Sequence, residues 1–414
     1  MKRLKVYLNS EHVGILEQDD SGLLLFAYDP AWLERGGAIP LSRSLPLRQE
    51  DFRGKYARPF FAGILPEEDP RKRIASILGI SERNDFAMLE RIGGECVGAV
   101  SLFPEEVRPS KSADLTLREL TSAELGDVLE ELPRRPLMAG TEGVRLSLAG
   151  AQGKLPVLIR DGRVFLPLGN APSSHIMKPE PERFPGLATN ELLCMRLATA
   201  VGLNVPEARV ETINSQPVLI VERYDRFAGD DGQIVRIHQE DFCQALGFPP
   251  ERKYQQEGGP LLRECIALLR EWSTAPVLDI RSLIDGLMFN MLIGNADAHG
   301  KNYSLLYPAG ENRLAPFYDL VCTLAWPEVS DHLSMKIGGC KTLKEIEPAH
   351  WQKMAKETNL GWPMVRERLA QVSQNVLDAL EPVHLEIGAS EMSEKVVGII
   401  RHRAERLLSQ LKQS

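Results

Sequence analysis

Three oxygen-bearing side chains in the second half of the chain could do chemistry together: Asp297, Asn302 and Asp319. The first two belong to Gly294-Asn295-Ala296-Asp297-Ala298-His299-Gly300-Lys301-Asn302, which directly follows an apolar run. A loop rich in Gly, Asp and Asn at that place is hard to explain as packing. Moving a phosphoryl group onto a hydroxyl needs a carboxylate to accept the hydroxyl proton and hard oxygen ligands for magnesium. Asp297 and Asn302 stand in Asp-x-x-x-x-Asn spacing, which suits these two tasks. Asp297 is the candidate base and Asn302 a candidate metal ligand. Lys301 could neutralise the migrating group. No second histidine stands at a metal-ligand spacing from His299, so a loop-ordering, hydrogen-bonding role is expected for it instead, and it joins Lys301 among the cofactor-binding candidates.

A short hairpin is expected next, with Tyr303–Tyr307 and Arg313–Pro316 around a Gly310-Glu311-Asn312 turn. It ends at Phe317-Tyr318-Asp319, which makes Asp319 the second magnesium ligand and Tyr318 a neighbour of the nucleotide. Alone, Asp297 would read as a turn residue and Asp319 as a helix cap. The pair at this spacing, across a hairpin, favours ATP and Mg2+.

Further upstream, Ser147-Leu148-Ala149-Gly150-Ala151-Gln152-Gly153-Lys154 lies between strand candidates. Its glycines would let backbone N–H groups approach phosphates, with Ala149, Gly150, Ala151, Gln152, Gly153 and Lys154 as the cradle. It lacks the GxxxxGK[ST] pattern, and a plain hairpin turn fits it equally well. Lys178 ends a strand candidate and could reach the phosphates, with Glu191 as a partner. Glu222 and Tyr224 follow an apolar strand, where backbone groups could meet the adenine edge. Each of these alone also fits an ordinary solvated strand end or first-turn acid.

The elements that must hold these residues follow from periodicity. The first hundred residues read as strands, with Leu4, Val6 and Leu8 alternating in an edge strand and Leu23–Tyr28 in a second. A helix is expected over Pro70–Leu78, an apolar run over Cys96–Phe103 and a helix over Leu115–Leu132. Strands are expected at Val144–Leu148, Leu155–Ile159 and Val164–Leu166, with Asp161-Gly162 as a turn. More are expected at His175–Met177, Ala208–Ile213 and Val218–Val221, around a helix at Leu187–Val201. From Ile237 onward the pattern is helical. Its clearest stripe is Ile280, Leu283, Ile284, Leu287, Met288, Met291 and Leu292, stopped by Gly294.

The resulting organisation is an N-terminal β-rich module over 1–105, a charged connector over 106–143, a β-rich lobe over 144–236 and a helical lobe over 237–414. A sheet lobe followed by a helical lobe suits a nucleotide held in a cleft.

Composition excludes several classes. The net charge of −8 argues against a free-standing nucleic-acid binder, which must neutralise phosphates. None of the six cysteines forms a CxxC pair, so neither a zinc site nor a disulfide framework is expected. No apolar stretch approaches the roughly 18 residues of a membrane span. The N-terminus lacks a signal-peptide pattern, so a cytoplasmic protein is expected.

The motifs resemble HipA-like toxin kinases. They are LSLAGAQGK at Leu146–Lys154, HIMKP at His175–Pro179, NELLCMRLATAVGLNVP at Asn190–Pro206, VERYDR at Val221–Arg226, QEDFCQALG at Gln239–Gly247, then GNADAHGKN and PFYD. Phe60-Phe61-Ala62-Gly63-Ile64-Leu65-Pro66 resembles the module that precedes the kinase core in that family. The resemblance implies an α+β, two-lobed kinase-like fold and a serine/threonine protein kinase that is the toxin of a toxin–antitoxin pair. It implies a HipB-like helix-turn-helix antitoxin as partner, DNA contact only through that partner, and a protein substrate such as an aminoacyl-tRNA synthetase. It implies that Ser147 is an autophosphorylation site. Several members of the family carry an acidic residue where Gly153 stands, so the loop departs from them there.

Two other functions compete. Asp297-Ala298-His299-Gly300-Lys301-Asn302 also resembles the Asp-x-His-x-x-Asn loop of phosphoinositide kinases, which allows a lipid or small-molecule substrate. No basic amphipathic helix supports a membrane surface. A silent corepressor would have lost Asp297, Asn302, Asp319 or Lys178, and all four are present.

Overall fold

A computed structural model describes residues 2–110, 115–229 and 233–413; residues 111–114 of the expected connector lie outside them. The chain forms two compact units. The first comprises Met1–Pro179, Thr212–Pro250 and Leu306–Pro308, and the second Glu180–Glu211, Glu251–Leu305 and Ala309–Ser414.

In the first unit, an antiparallel sheet runs Phe52–Arg53, Leu24–Tyr28, Glu11–Gln18, Lys2–Leu8, Val100–Pro104. The alternation of Leu4, Val6 and Leu8 puts all three in the core. Lys2–Leu8 is nevertheless an inner strand, not the edge strand expected, because Val100–Pro104 returns to pair along its outer side. Nothing in the local sequence signals that long-range partner. The helix Glu68–Leu78 ends on Gly79, whose φ of 65° closes it in the left-handed region.

A second sheet in this unit runs through Gln216–Glu222, His175–Pro179, Leu155–Arg160, Arg163–Pro167 and Leu117–Leu120 in that order. Its Asp161-Gly162 turn has positive φ at both residues, as tight hairpins require. Three further expectations fail in this unit. Residues 115–132 are not one helix: a strand, Leu117–Leu120, precedes the helix Ser122–Glu131. Thr121 makes the break, because it caps the helix in a reciprocal box with Glu124. Val144–Leu148 is not a strand either. Leu146 makes only an isolated bridge to Glu95, and the Ser147 N–H bonds to the Glu95 carbonyl at 2.8 Å. Nor is the chain all helical from Ile237, since His238–Asp241 is a strand before Asp241 caps the helix Phe242–Leu246.

One core serves this whole unit. Leu4, Phe26, Phe60 and Leu89 belong to the same apolar cluster as Leu146, Leu155, Met177 and Ile220.

The second unit is helical. Its helices are Leu187–Ala200, Leu262–Trp272, Pro276–Ile293, Pro348–Glu357, Trp362–Ile387 and Glu391–Gln413. Pro276–Ile293 starts on a proline and ends on Gly294, with φ 78°. It is buried almost all round, Phe289, Asn290 and Ile293 included, so it is a central element and not the one-sided helix its stripe suggests. All six cysteines of the chain are buried free thiols. Among the described residues no helix is long and apolar enough to cross a membrane.

Candidate active site

The loop that carries Asp297 hangs from the C-terminus of Pro276–Ile293. Asn295 organises it: its Nδ2 donates to Asn290 Oδ1 at 2.7 Å, and its Oδ1 accepts from the Asp297 N–H at 3.0 Å. Its Nδ2 also reaches the Asp319 carbonyl at 3.4 Å, which ties the two candidate segments together. The Asp297 carboxylate accepts from Ser334 Oγ at 3.3 Å. Asp297 is exposed at the loop surface, yet enough protein surrounds its carboxyl that desolvation dominates and raises its pKa. Asp319 adds to the rise, while Lys253, Tyr254 and Ser334 oppose it. A carboxylate shifted this way is a better proton acceptor than an ordinary aspartate.

His299 hydrogen-bonds within the loop. Its Nδ1 accepts from the Lys301 N–H at 3.3 Å, and its backbone N–H donates to Asn302 Oδ1 at 3.1 Å. Its ring meets Tyr254 edge-on at 5.2 Å. Lys301 is buried, and Asn302 lies half-buried beside it.

Asp319 arrives through the expected hairpin, observed as Ser304–Tyr307 and Arg313–Leu314. Arg313 and the Leu314 N–H bind the buried Asp279 carboxylate, which fixes the returning strand to Pro276–Ile293. Phe317 then packs where Gly286 lacks a side chain: a Cβ there would lie 2.4 Å from the ring. Tyr318 Oη donates to the Lys301 carbonyl at 2.6 Å and lies 2.7 Å from Ser304 Oγ. Beyond the aspartate, buried Asn190 binds Cys322 on both sides: its Oδ1 accepts from the backbone N–H at 2.8 Å, and its Nδ2 donates to the carbonyl at 3.1 Å.

These constraints hold Asp319 at φ 52°, in the left-handed region that aspartate tolerates better than most residues other than glycine. Asn302 Nδ2 comes within 3.5 Å of Asp319 Oδ2. It is the amide nitrogen that faces the carboxylate, while the Asn302 Oδ1 accepts the His299 N–H. An aspartate and an asparagine brought together from two anchored segments are nevertheless the residue types whose oxygens fit Mg2+, which takes its other ligands from water and phosphate.

The remaining sequence candidates, Glu191 excepted, lie in the first unit. Gly150 has φ 105°, and Lys154 folds back so that its Nζ donates to the Ala149 carbonyl at 2.5 Å. Ala151 is exposed, while Gln152 and Gly153 are half-buried. The Gly150 carbonyl accepts from the Glu67 N–H at 3.2 Å, which joins this loop to the N-terminal module. Ser147 has no exposed surface, and its Oγ donates to the Ile64 carbonyl at 3.1 Å. Lys178 is buried on His175–Pro179, opposite Leu219. Glu222 is exposed and pairs with His175 at the strand end. The Tyr224 hydroxyl donates to Gln239 Oε1 at 2.5 Å. Glu191 is buried on Leu187–Ala200, in the second unit.

Sequence reasoning missed a buried ionic cluster in the first unit. Glu95, with no exposed surface, binds Arg223, Arg226 and Arg236. Arg223 and Arg226 also bind Asp225. Burial alone would push the Glu95 carboxyl up, but Arg226, Arg236 and Arg223 together hold it down at about 2. Arg226 is pushed down to about 10 by burial and by Arg223 beside it. Arg223, Asp225 and Arg226 fall in the string VERYDR, read for another role, and Glu95 and Arg236 in no string that was read, so only three-dimensional proximity reveals the cluster.

The HipA-like C-terminal domain family model matches residues 146–380, and the HipA N-terminal domain model matches residues 4–103. Protein Y4mE of Sinorhizobium fredii, whose name marks it as a kinase candidate, is 46% identical over 92% of this chain and 91% of its own length. The Shewanella oneidensis serine/threonine-protein kinase toxin HipA is 28% identical over 98% of this chain and 94% of its own. A chain in the solved Shewanella oneidensis complex of HipA, HipB and operator DNA superposes with a TM-score of 0.87 at 26% identity, covering 99% of this chain and 98% of that one.

Proposed function

Because the chain belongs to the HipA-like family of kinase toxins, we propose that it is an ATP- and Mg2+-dependent serine/threonine protein kinase. The single observation that carries the reading is the convergence of Asn302 and Asp319 beside the loop that presents Asp297. Asn302 and Asp319 would hold Mg2+, which supplies charge neutralisation on the transferring phosphate. Asp297 accepts the substrate hydroxyl proton, and its raised pKa suits that task. His299 and Tyr318 keep the loop and the metal segment in register. Lys301 supplies positive charge near the migrating group.

On this reading residues 144–236 form the nucleotide lobe and residues 237–414 the helical lobe, with 1–105 as the family's N-terminal module. Lys178 and the Ala149–Lys154 loop serve the phosphates, and Glu222 and Tyr224 the adenine. A HipB-like antitoxin is the partner, just as HipB accompanies HipA in the Shewanella oneidensis complex. The substrate is a translation protein such as an aminoacyl-tRNA synthetase, which rests on the family resemblance.

Ser147 is the autophosphorylation site on this reading. The modification adds roughly −1.5 to −2 charge. Its hydroxyl is enclosed against Ile64, so the phosphorylated loop cannot return to its seat. The experiment is phosphopeptide mass spectrometry of cells expressing the wild type or Asp297→Asn. Sites that appear only with the wild type support the reading. Identical phosphopeptide sets defeat it.

A further inference from the structure

The second unit contains a cavity of about 290 Å3 that the kinase reading does not use. Its wall is aliphatic, built from Met291, Leu343, Ile346 and Leu407, all buried in the fold. Its other face is cationic, with Arg403 half-buried inside and Arg406 exposed at the rim. The volume lies near the lower end of the range for small-molecule sites.

The charges are not balanced. Arg403 donates through Nε to the Met291 carbonyl at 2.8 Å, and through both terminal nitrogens to the Leu343 carbonyl at 3.3–3.4 Å. Its fork still has N–H groups to spare. No carboxylate of the described residues stands within ion-pair distance of Arg403 or Arg406, whereas Lys344 at the same cavity is already paired with Asp331 at 3.2 Å. Burial pushes the Arg403 guanidinium down to about 10, with Arg406 repelling it further. Two arginines left facing one apolar cavity without an anion form an unneutralised receptor.

We propose that this cavity binds a small carboxylate bearing a short aliphatic chain. The carboxylate meets Arg403 and Arg406, and the chain lies along Met291, Leu343, Ile346 and Leu407. A purely apolar guest would leave the guanidiniums unpaired. A cation would be repelled by them.

The site lies directly behind the catalytic loop. Met291 is in the last turn before Gly294, and its carbonyl is the one Arg403 holds. Leu324, also lining the cavity, donates its N–H to the Gly294 carbonyl at 3.2 Å. Occupancy therefore stiffens residues 294–302, which makes the cavity a regulatory site.

Isothermal titration of the full chain with octanoate tests this. The expected Kd is on the order of 0.1 mM, as suits a ligand of about ten heavy atoms. Arg406→Glu, at an exposed position with no bond to lose, should weaken binding by about tenfold or more. Octanol and octylammonium should not bind measurably, and amide exchange across 294–302 should slow with octanoate. Equal binding of octanol, tighter binding of octyl phosphate, or an unaffected Arg406→Glu protein would overturn the carboxylate assignment. Unchanged loop exchange at saturation would overturn the regulatory coupling. None of these readouts depends on phosphoryl transfer, so they stand or fall apart from the kinase reading.

Discussion

Asn302 Nδ2 stands 3.5 Å from Asp319 Oδ2, although the two side chains reach that point from opposite ends of a hairpin. Their closeness is imposed from outside: His299 holds one residue and Phe317 steers the other. Asp319→Ala should therefore leave the fold intact and raise the Mg2+ concentration needed for half-maximal phosphoryl transfer by about tenfold or more. Rates measured across a magnesium series check this, and an unaltered metal requirement removes Asp319 from the ligand set.

Asp297→Asn keeps the size of the side chain and removes the proton acceptor. The transfer rate should fall by about 10²–10⁴-fold, the range for a general base, while nucleotide affinity stays within about twofold. Radiolabel transfer and nucleotide titration separate the two quantities. Equal losses in both would mean that Asp297 binds ATP instead of accepting the proton.

Gly286→Ala should act at a distance. In a free helix this change stabilises by about 0.5–1 kcal/mol. Here the new methyl would sit 2.4 Å from the Phe317 ring, so overpacking wins and the protein should lose about 1–3 kcal/mol. Because Phe317 leads into Asp319, magnesium affinity should drop as well. Urea melts and the magnesium series together test the link.

Glu95→Gln removes one of two carboxylates facing three buried guanidiniums. Leaving such charges uncompensated should cost about 3–5 kcal/mol at neutral pH. The Glu95 carboxyl, held at about 2, is ionised in the folded state well below its ordinary value of 4.5. Its stabilisation is thus full above pH 4.5 and is lost as pH falls toward 2. The gap between wild type and variant in urea melts should narrow across that interval.

His238 and Glu240 should give opposing pH slopes. Burial pushes His238 down to about 4, so folding excludes its proton and stability falls as pH drops from 6.5 to 4. Burial pushes Glu240 up to about 7, so folding retains its proton and stability falls as pH rises from 4.5 to 7. Relative to wild type, Glu240→Gln should steepen the acid-side loss, and His238→Gln should steepen the loss toward neutrality. Melting temperatures across pH 4–8 check both signs.

The candidate site was legible where it is local. Asp297, Asn302 and Asp319 lie on one stretch of chain, so their spacing carried the information. The supports were not legible, because they come from far away and look ordinary. Asn190 reads as one polar residue on a helix, and Gly286 as an isolated glycine, until Cys322 and Phe317 are placed beside them. The fold shows the same divide. The pattern around Leu4 identified a strand, but its inner position depends on a partner a whole module away. Thr121 and Glu124 carried a readable capping signal that the helical periodicity over Leu115–Leu132 overrode.

The apolar cluster that joins Leu4 and Phe26 to Met177 and Ile220 is built from residues on both sides of the connector. A polypeptide starting near residue 144 would present a bare greasy flank and guanidiniums stripped of their Glu95 counterion. The two stretches need not share a peptide bond, but each is only half a folding unit. Coexpressed as fragments, they should find one another; expressed singly, each should aggregate.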